Sequence, residues 1–216
     1  MVTIRTARRG EGKDVERLES IAMGGRPDRT APAAERLPGI VDAYGGEFTV
    51  KPMGKARTLV AVRQNDGSVC GLAQVFPPIR LMNQHADRGL PAQRTLAKVI
   101  GEIDLLAVDA DARGQGTGGA LLEEAEKWLA DRGCLLVMAK IARGDYQVMR
   151  WYRRRGYLVA AQGEMFWVTF PQLDLKCDDG GDGYHLALKG LRGAVVSKAR
   201  MGNGTYVTAR FSGPDA

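Results

Sequence analysis

Apolar and polar positions along this chain recur with two periods, one typical of β-strands and one typical of amphipathic helices. Side chains of a strand alternate between two faces, so short apolar or alternating runs predict strands. The predicted strands are 2–7, 58–64, 69–76, 99–108, 134–141, 157–161, 165–170 and 184–190, where 157–161 and 165–170 are either two strands or one long strand with a break at Gly163. Apolar residues at helical spacing predict helices at 11–23, near 32–44, at 117–131 and at 145–155.

Turn residues separate these elements. The sequence NDGS at 65–68 predicts a hairpin between the second and third strands, and Asn203-Gly204 predicts a closing hairpin within 194–211. We expect irregular structure over most of 24–56, over the polar stretch 79–98, and in the DDGGDG stretch at 178–183, whose spacing does not fit a calcium loop.

The order of elements is β-α-loop-β-β-β-α-β-α-β-β. A meander of strands followed by two βα units predicts an α/β protein with a mixed sheet and helices on its faces. We expect residues 1–190 to form one domain and residues 191–216 to form a C-terminal extension, made of a β-hairpin and a disordered end.

Composition is that of a globular domain, with 44% hydrophobic and 26% charged residues among 216. No apolar run approaches the roughly 20 residues of a membrane helix. The N-terminal residues contain no apolar secretory core, so we expect a cytoplasmic location.

Three cysteines, Cys70, Cys134 and Cys177, lie far apart in the chain. An odd number of cysteines at this wide spacing predicts neither a disulfide framework nor a zinc site. We expect these thiols to fill core or loop space, and we expect no metal.

The net charge of +6 permits an anionic ligand or partner without requiring one. Arg150, Arg153, Arg154 and Arg155 form the one dense basic cluster. The cluster is either a solvated helix face or a phosphate-binding patch, and the sequence leaves both open.

The glycine-rich sequence ARGQGTGG at 112–119 joins a predicted strand to a predicted helix. The first N–H groups of a helix lack partners, and glycines let a phosphate approach the backbone closely. With the added charge of Arg113, this stretch predicts a site for an anion such as a diphosphate. It also contains the dinucleotide fingerprint GxGxxG, but the next strand ends in Lys140 rather than in an acid. A purely structural glycine loop is the alternative.

Two motifs together resemble the GCN5-related N-acetyltransferase (GNAT) superfamily. The family's Arg/Gln-x-x-Gly-x-Gly/Ala pattern is met by Arg113, Gly116 and Gly118. The family's downstream aromatic-Tyr-x-x-x-Gly-aromatic run is met by Trp151, Tyr152, Gly156 and Tyr157. The resemblance covers residues 2–170 and is strongest over 99–158. It implies the GNAT fold for residues 1–190, with a central mixed, mostly antiparallel sheet of six to seven strands, helices on both faces, and the C-terminal hairpin as an addition.

The resemblance also implies how coenzyme A would be held. Backbone groups of Leu106 and Val108 would pair with the pantetheine arm, and the Val108 N–H would polarise the thioester carbonyl. The implied cofactor-binding residues are completed by Arg113, Gly114, Gln115, Gly116, Thr117, Gly118, Asp145 and Tyr152. The chain departs from the family at Asp145 and Val148, where Asn and Ala are often found.

The catalytic residues implied by the resemblance are Glu102 and Tyr152. Glu102 would take the proton of the amine, and Tyr152 would protonate the leaving thiolate. Asp104 is the alternative base, because strand alternation places it on the same face as Glu102. We expect His185 to be a structural histidine, whereas His85 is a candidate substrate contact.

The implied activity is transfer of an acetyl group from acetyl-CoA to a primary amine, by direct attack in a ternary complex. We expect a small-molecule acceptor, whereas a protein N-terminus, a lysine or an aminoacyl-tRNA are alternatives. A non-catalytic acyl-CoA-binding module and a dinucleotide-binding protein are competing functions. The modest charge does not favour nucleic acid, and we expect no membrane partner. The terminal hairpin either covers a sheet edge or builds a homodimer, and of these two we favour the homodimer.

Overall fold

The computed structural model describes residues 1–24, 36–50, 54–170, 173–177, 183–201 and 204–210. The chain divides into two compact units. The first unit comprises Met1–Phe76 and Ile103–Trp128, and the second comprises Pro77–Glu102 and Leu129–Ala216. Strand β5, Ile100–Val108, contributes residues to both units.

The first unit contains a meander of strands with helices around it. Its elements are β1 Val2–Thr6, α1 Gly12–Ala22, α2 Leu37–Tyr44, β2 Glu47–Val50, β3 Gly54–Arg63, β4 Val69–Phe76 and, after β5, most of α5 Thr117–Asp131. The strand order in this unit is β1-β3-β4-β5, and β2 pairs with the first part of β3. Pairing is antiparallel from β1 to β3 and from β3 to β4.

Helices cover both faces of the sheet in the first unit. Val60 and Leu72 are paired across β3 and β4, and both lie in one buried cluster with residues of α1 and α2. The next pair, Ala61 and Gly71, faces the other way because side chains alternate along a strand. A Cβ on Gly71 would lie 2.9 Å from Leu121 of α5. This arrangement confirms the predicted layering.

The second unit combines an α-helical pair with two groups of strands. Its elements are α3 Ile79–Gln84, α4 Gly89–Val99, the first residues of β5, β6 Leu136–Ala142, α6 Tyr146–Arg153, β7 Leu158–Val159, β8 Phe166–Phe170, β9 Leu173–Cys177, β10 Tyr184–Gly190, β11 Val195–Met201 and β12 Gly204–Arg210. Strand β10 lies between β6 and β7 and is antiparallel to both.

The described residues contain more strands than the sequence predicted. The main sheet has eight strands rather than six to seven, because β2 was missed within a segment predicted to be loop. A second sheet has the order β11-β12-β8-β9, with β12 parallel to β8. The predicted closing hairpin is confirmed as the antiparallel pair β11–β12, and this hairpin extends the second sheet. The boundary at residue 190 stays a prediction.

The polar stretch 79–98 was wrongly predicted to be irregular. It forms α3, a short 3-10 helix Ala86–Arg88 and α4. None of these helices has a side-chain N-cap, so the usual sequence signal for a helix start is missing. Burial of Met82 and Leu96 supplies the stabilisation that the local sequence does not reveal.

Of the two alternatives for 157–161 and 165–170, one broken strand is wrong and two strands is confirmed. The two strands are β7 of the main sheet and β8 of the second sheet. A turn separates them, in which the Glu164 carboxylate accepts a hydrogen bond from the Ala161 N–H at 2.6 Å. The alternation of apolar and polar residues does not predict this turn, because a single buried carboxylate closes it.

The structure confirms several of the predicted elements. The helix over 117–131 and the strand over 184–190 have the predicted bounds, and the hairpin about 65–68 joins β3 to β4. The loop residues 178–182, Asn203 of the predicted turn, and the predicted disordered end at 211–216 lie outside the described residues. Among those described, no helix combines the length and the apolar character needed to cross a bilayer.

Lys198→Met is expected to lower the free energy of unfolding by about 1–3 kcal/mol, because it leaves a buried carboxylate without its counter-charge. Lys198 Nζ lies 3.0 and 2.8 Å from the two Glu164 oxygens, and the Glu164 side chain is only 6% exposed. Urea denaturation measures the change. Lys55→Met is the control, since Lys55 pairs with Glu47 at an exposed site and should cost under about 1 kcal/mol. An equal loss of unfolding free energy in the two variants would contradict this prediction.

Candidate functional site

The glycine loop, residues 112–119, leads into the N-terminus of α5. The first backbone bond of this helix runs from the Ala120 N–H to the Gly116 carbonyl at 3.0 Å. The N–H groups of Thr117, Gly118 and Gly119 precede that donor, so no carbonyl one turn earlier within the helix is available to them. These amides and the helix dipole together favour an anion.

The conformation of the glycine loop fits a phosphate group. Gly114 and Gly116 have φ values of +75° and +85°, a region that residues with a side chain rarely adopt. A Cβ built on either glycine would meet no protein atom within 4 Å, so both face open space. Glycine therefore supplies both the backbone conformation and the room that a diphosphate requires.

Side chains of the loop brace it from within. Arg113, predicted to add charge to the anion site, donates Nε to the Val108 carbonyl at 3.0 Å. Gln115 donates Nε2 to the Asp111 carbonyl at 2.8 Å. Thr117 is buried, whereas the loop residues from 113 to 116 are exposed. These two bonds hold the loop against the end of β5.

Glu102 lies near the start of β5 with its carboxylate almost fully buried. Its Oε1 is 3.6 Å from Nζ of Lys140 on β6, and the side chains are 7% and 25% exposed. Asp104, the alternative base, is exposed although it lies two residues away on the same strand. The two carboxylates therefore occupy different environments, and only Glu102 is enclosed by protein.

Tyr152 lies on the buried face of α6 in a group of three aromatic rings. Its ring packs edge-on against Trp151 and Tyr157, with centroids 4.9 Å apart in each pair. The Arg155 guanidinium stacks on the Trp151 ring at 3.9 Å and donates to the Trp151 carbonyl at 3.2 Å. These contacts fix the orientation of the helix that carries Tyr152.

Asp145 is the N-cap residue of α6. Its Oδ1 accepts a hydrogen bond from the Val148 N–H at 3.0 Å. This bond satisfies one of the helix's unpaired donors, which is the usual role of Asp at this position. On α6 and just beyond it, Arg150, Arg153 and Arg154 are exposed, in agreement with a solvated helix face.

The cysteines that the structure describes are not poised for nucleophilic chemistry. Burial raises the pKa of the Cys134 thiol to about 11, and burial also raises the pKa of Cys70. Both thiols are therefore protonated at neutral pH, as expected for side chains that fill core space. The side chain of Cys177 lies outside the described residues.

The two histidines have different environments. His185 Nδ1 lies 3.1 Å from the Ala160 carbonyl, which gives it the structural partner expected of it. Burial, with a smaller contribution from Arg88, lowers the pKa of His85, so its imidazole is neutral at neutral pH. Its Nε2 is buried without a hydrogen-bond partner among the described residues. No group of three or more potential metal ligands occurs in the part of the chain that the structure describes.

A family model for the acetyltransferase (GNAT) family matches residues 41–157, more than half of the 216-residue chain. The chain belongs to this family. The match includes β3 to β6, the glycine loop and the whole of α6, so it covers every residue proposed above for coenzyme binding and catalysis.

Solved structures with the same fold include acetyltransferases, two of them described as GNAT proteins. The yncA protein of Salmonella typhimurium, solved with its cofactor acetyl-CoA, is 18% identical with a TM-score of 0.57, over 89% of this chain and 95% of that chain. A GNAT protein from Kribbella flavida is 21% identical with a TM-score of 0.55, over 88% and 98%. Phosphinothricin acetyltransferase from Sinorhizobium meliloti, in complex with AcCoA, is 18% identical with a TM-score of 0.56, over 88% of each chain. At these identities the likeness establishes the fold alone.

A comparison with curated proteins finds no matching sequence.

The GNAT site residues fall into two groups, one in each unit. Leu106, Val108 and the glycine loop form a continuous stretch of the first unit, closed by the bond between Arg113 and Val108. In the second unit, Glu102 is paired with Lys140, and α6 carries both Asp145 and Tyr152. Their catalytic and binding roles stay predictions.

Lys140 is a neighbour of Glu102 that the sequence patterns did not predict. A lone lysine in the apolar run CLLVMAKI is itself a signal, because a lysine in a buried strand is usually paired with an acid. The strand pattern could have predicted an acidic partner without saying which one.

Proposed function

We propose that this GNAT protein transfers an acetyl group from acetyl-CoA to the primary amine of a small molecule. The observation that carries the proposal is the glycine loop at the N-terminus of α5, where positive φ angles, open space beside Gly114 and Gly116, and helical amides that precede the first helical bond suit a diphosphate. The acetyl-CoA described for the structures of yncA and of phosphinothricin acetyltransferase supports a coenzyme A donor.

The residues of the first unit would bind and polarise the donor. Amides of the glycine loop would receive the diphosphate, and backbone groups of Leu106 and Val108 would pair with the pantetheine arm. The Val108 N–H would stabilise the oxyanion formed at the thioester carbonyl, and such donors are typically worth about 3–4 kcal/mol. Acetyl-CoA supplies the activated acyl group.

The residues of the second unit would handle protons. The Glu102 carboxylate would take a proton from the amine, whose ordinary pKa is about 10 for a lysine-like group. The Tyr152 hydroxyl would give a proton to the departing sulfur. Overall, one N–C bond forms and one C–S bond breaks. From the ammonium form of the acceptor two protons leave nitrogen, of which one reaches the sulfur through Tyr152 and the other passes to solvent through Glu102. Both steps take place in a ternary complex, without an acyl-enzyme.

A non-catalytic coenzyme A-binding protein is the second candidate function. It is favoured by one observation, that two carboxylates implied in catalysis and in coenzyme binding have structural partners. Glu102 is paired with Lys140, and Asp145 caps α6. Such a protein would retain the glycine loop and its affinity for coenzyme A but would show no turnover.

Thermal denaturation in the presence of acetyl-CoA, coenzyme A or NADH tests the donor site. A ligand that binds only the folded state stabilises it, by about 2.7 kcal/mol at a hundred times its Kd. We expect the melting temperature to rise with both coenzyme A species and to be unchanged by NADH. No rise with either coenzyme A species would end the proposal, and a rise with NADH alone would favour a dinucleotide.

A thiol-release assay over a panel of amines then separates enzyme from binding protein. The panel contains amino acids, polyamines, lysine peptides and peptides with a free N-terminus. We expect release of coenzyme A with at least one small amine and slower release with the peptides. Coenzyme A binding without release over the whole panel would support the non-catalytic candidate.

A further inference from the structure

The segment Asp109–Asp111 joins the end of β5 to the glycine loop, and two arginines from other elements hold it. Arg17 of α1 donates from Nη1 to the carboxylate of Asp109. Its Nη2 donates to the Val69 carbonyl at 2.8 Å. Arg17 and Asp109 are 92 positions apart in the chain, so this contact exists only in the folded unit.

Arg63 of β3 binds the same segment from a second element. Its Nη2 lies 2.6 Å from Asp111 Oδ1 and 4.0 Å from Asp109 Oδ2, and its Nη1 donates to Ser68 Oγ at 3.0 Å. The Asp109 side chain is 16% exposed, whereas that of Asp111 is 74% exposed. Asp109 is therefore the enclosed centre of the group. The four residues Arg17, Arg63, Asp109 and Asp111 are called the arginine clamp below.

The clamp is connected directly to the groups proposed to bind coenzyme A. Asp109 follows Val108, whose N–H is the proposed oxyanion donor. The Asp109 carbonyl accepts from the Ala112 N–H at 3.0 Å, and the Asp111 carbonyl accepts from Gln115 of the glycine loop at 2.8 Å. A shift of this segment would move the end of β5 and the loop amides together.

The clamp also removes an electrostatic obstacle. Two carboxylates lie within four residues of the loop that would bind a diphosphate, and uncompensated they would repel it. Charges this close lie within the Debye length of about 10 Å at 0.1 M salt, so solvent does not screen them fully. The two guanidinium groups offset the charge of Asp109 and Asp111 through charge-assisted hydrogen bonds, which are stronger than neutral ones, although Arg17 Nη2 also lies 3.4 Å from Asp14 Oδ1.

We propose that Arg17 and Arg63 are positioning residues for coenzyme A binding. They hold Asp109–Asp111 in the geometry that aligns the Val108 N–H and the loop amides, and they neutralise the two acids beside the diphosphate. Neither arginine touches the coenzyme. The inference rests on the proposed function, because it concerns the same donor site.

Titration calorimetry with coenzyme A, on the full chain, tests this role. Arg17→Gln and Arg63→Gln are each expected to raise the Kd for coenzyme A about tenfold, which corresponds to a loss of about 1.4 kcal/mol. In turnover assays with an amine from the panel, the KM for acetyl-CoA should rise by a similar factor. The KM for the amine should stay within about twofold, since the clamp is argued to act on the donor site alone.

Arg5→Gln is the matched control. Arg5 forms a similarly enclosed ion pair in the same unit, with Nη1 and Nη2 at 2.9 and 2.5 Å from the Glu11 oxygens and side chains 23% and 18% exposed. Its partner Glu11 precedes α1 and bonds to no residue of the clamp among the contacts described. We expect Arg5→Gln to lower the melting temperature about as much as Arg17→Gln, with the Kd for coenzyme A within about twofold of wild type.

A double variant tests the neutralisation of charge. Adding Asp109→Asn to Arg17→Gln removes the uncompensated acid, and it should restore part of the lost affinity for coenzyme A. No recovery in the double variant would overturn the electrostatic part of the proposal. The double variant also supplies a second measurement if Arg17→Gln alone folds poorly.

The outcomes separate this inference from the proposed function. Wild type that binds no coenzyme A would refute the donor site itself. Wild type that binds, with Arg17→Gln and Arg63→Gln indistinguishable from the Arg5→Gln control, would show that the clamp only stabilises the fold and would overturn the inference.

Discussion

Glu102→Gln is expected to lower kcat/KM for amine acetylation by about a hundredfold to ten-thousandfold, the usual contribution of a positioned general base. Glutamine has nearly the same shape and can remain beside Lys140, but it cannot accept the proton of the amine. Coenzyme A binding should stay within about twofold of wild type, because the change removes a proton acceptor rather than a loop amide. Steady-state turnover and titration calorimetry on the same preparations measure both effects.

Asp104→Asn is the matched control for Glu102→Gln. The two carboxylates lie on one strand, two residues apart, but Glu102 is buried whereas Asp104 is exposed. If Glu102 is the base, Asp104→Asn should change kcat/KM by less than about threefold, as expected for an exposed group away from the chemistry. A large loss of kcat/KM in Asp104→Asn, with normal turnover in Glu102→Gln, would identify Asp104 as the base. Normal turnover in both variants would exclude both carboxylates as bases.

Gly116→Ala is expected to raise the Kd for coenzyme A at least about tenfold and to reduce the thermal shift accordingly. The residue has φ = +85°, and its Cβ would point into the open space where the phosphate is proposed to lie. A side chain there costs about 1–2 kcal/mol of backbone strain even without ligand, so the loop should also relax away from the binding conformation.

Gly67→Ala controls for that strain. Gly67 lies in the turn between β3 and β4 with φ = +72°, and a Cβ there also meets no atom within 4 Å. Both variants should therefore lose similar stability in the absence of ligand, but only Gly116→Ala should lose affinity for coenzyme A. Equal affinity in the two variants would mean that the glycine loop is structural and binds no phosphate.

Local patterns predicted the elements whose stability is mostly local. The bounds of α5 follow from one apolar helix face between a glycine stretch and a terminal glycine, and all of these lie within 22 consecutive residues. The hairpin of β3 and β4 follows from a turn sequence between two apolar runs. The family resemblance likewise rests on short motifs, and the match over 41–157 confirms it.

Elements that depend on distant partners were predicted poorly. Helices α3 and α4 lack capping side chains, and burial of residues such as Met82 and Leu96 compensates for that. The break between β7 and β8 depends on Glu164, whose counter-charge Lys198 is 34 positions away. Neither periodicity nor turn chemistry contains this information, because both describe only neighbours in the chain.

The sequence by itself determined the family, the layered mixed sheet, the glycine loop before α5 and the candidate pair Glu102 and Tyr152. Each of these follows from residue types at short, fixed spacings, which can be recognised in the sequence without knowledge of the fold. Only the tertiary structure decided that Glu102 is buried against Lys140 while Asp104 is exposed, and that Arg17 and Asp109 meet across 92 positions. Burial and ion pairing are properties of residues brought together by folding, so the sequence supplies the groups and the fold chooses their partners.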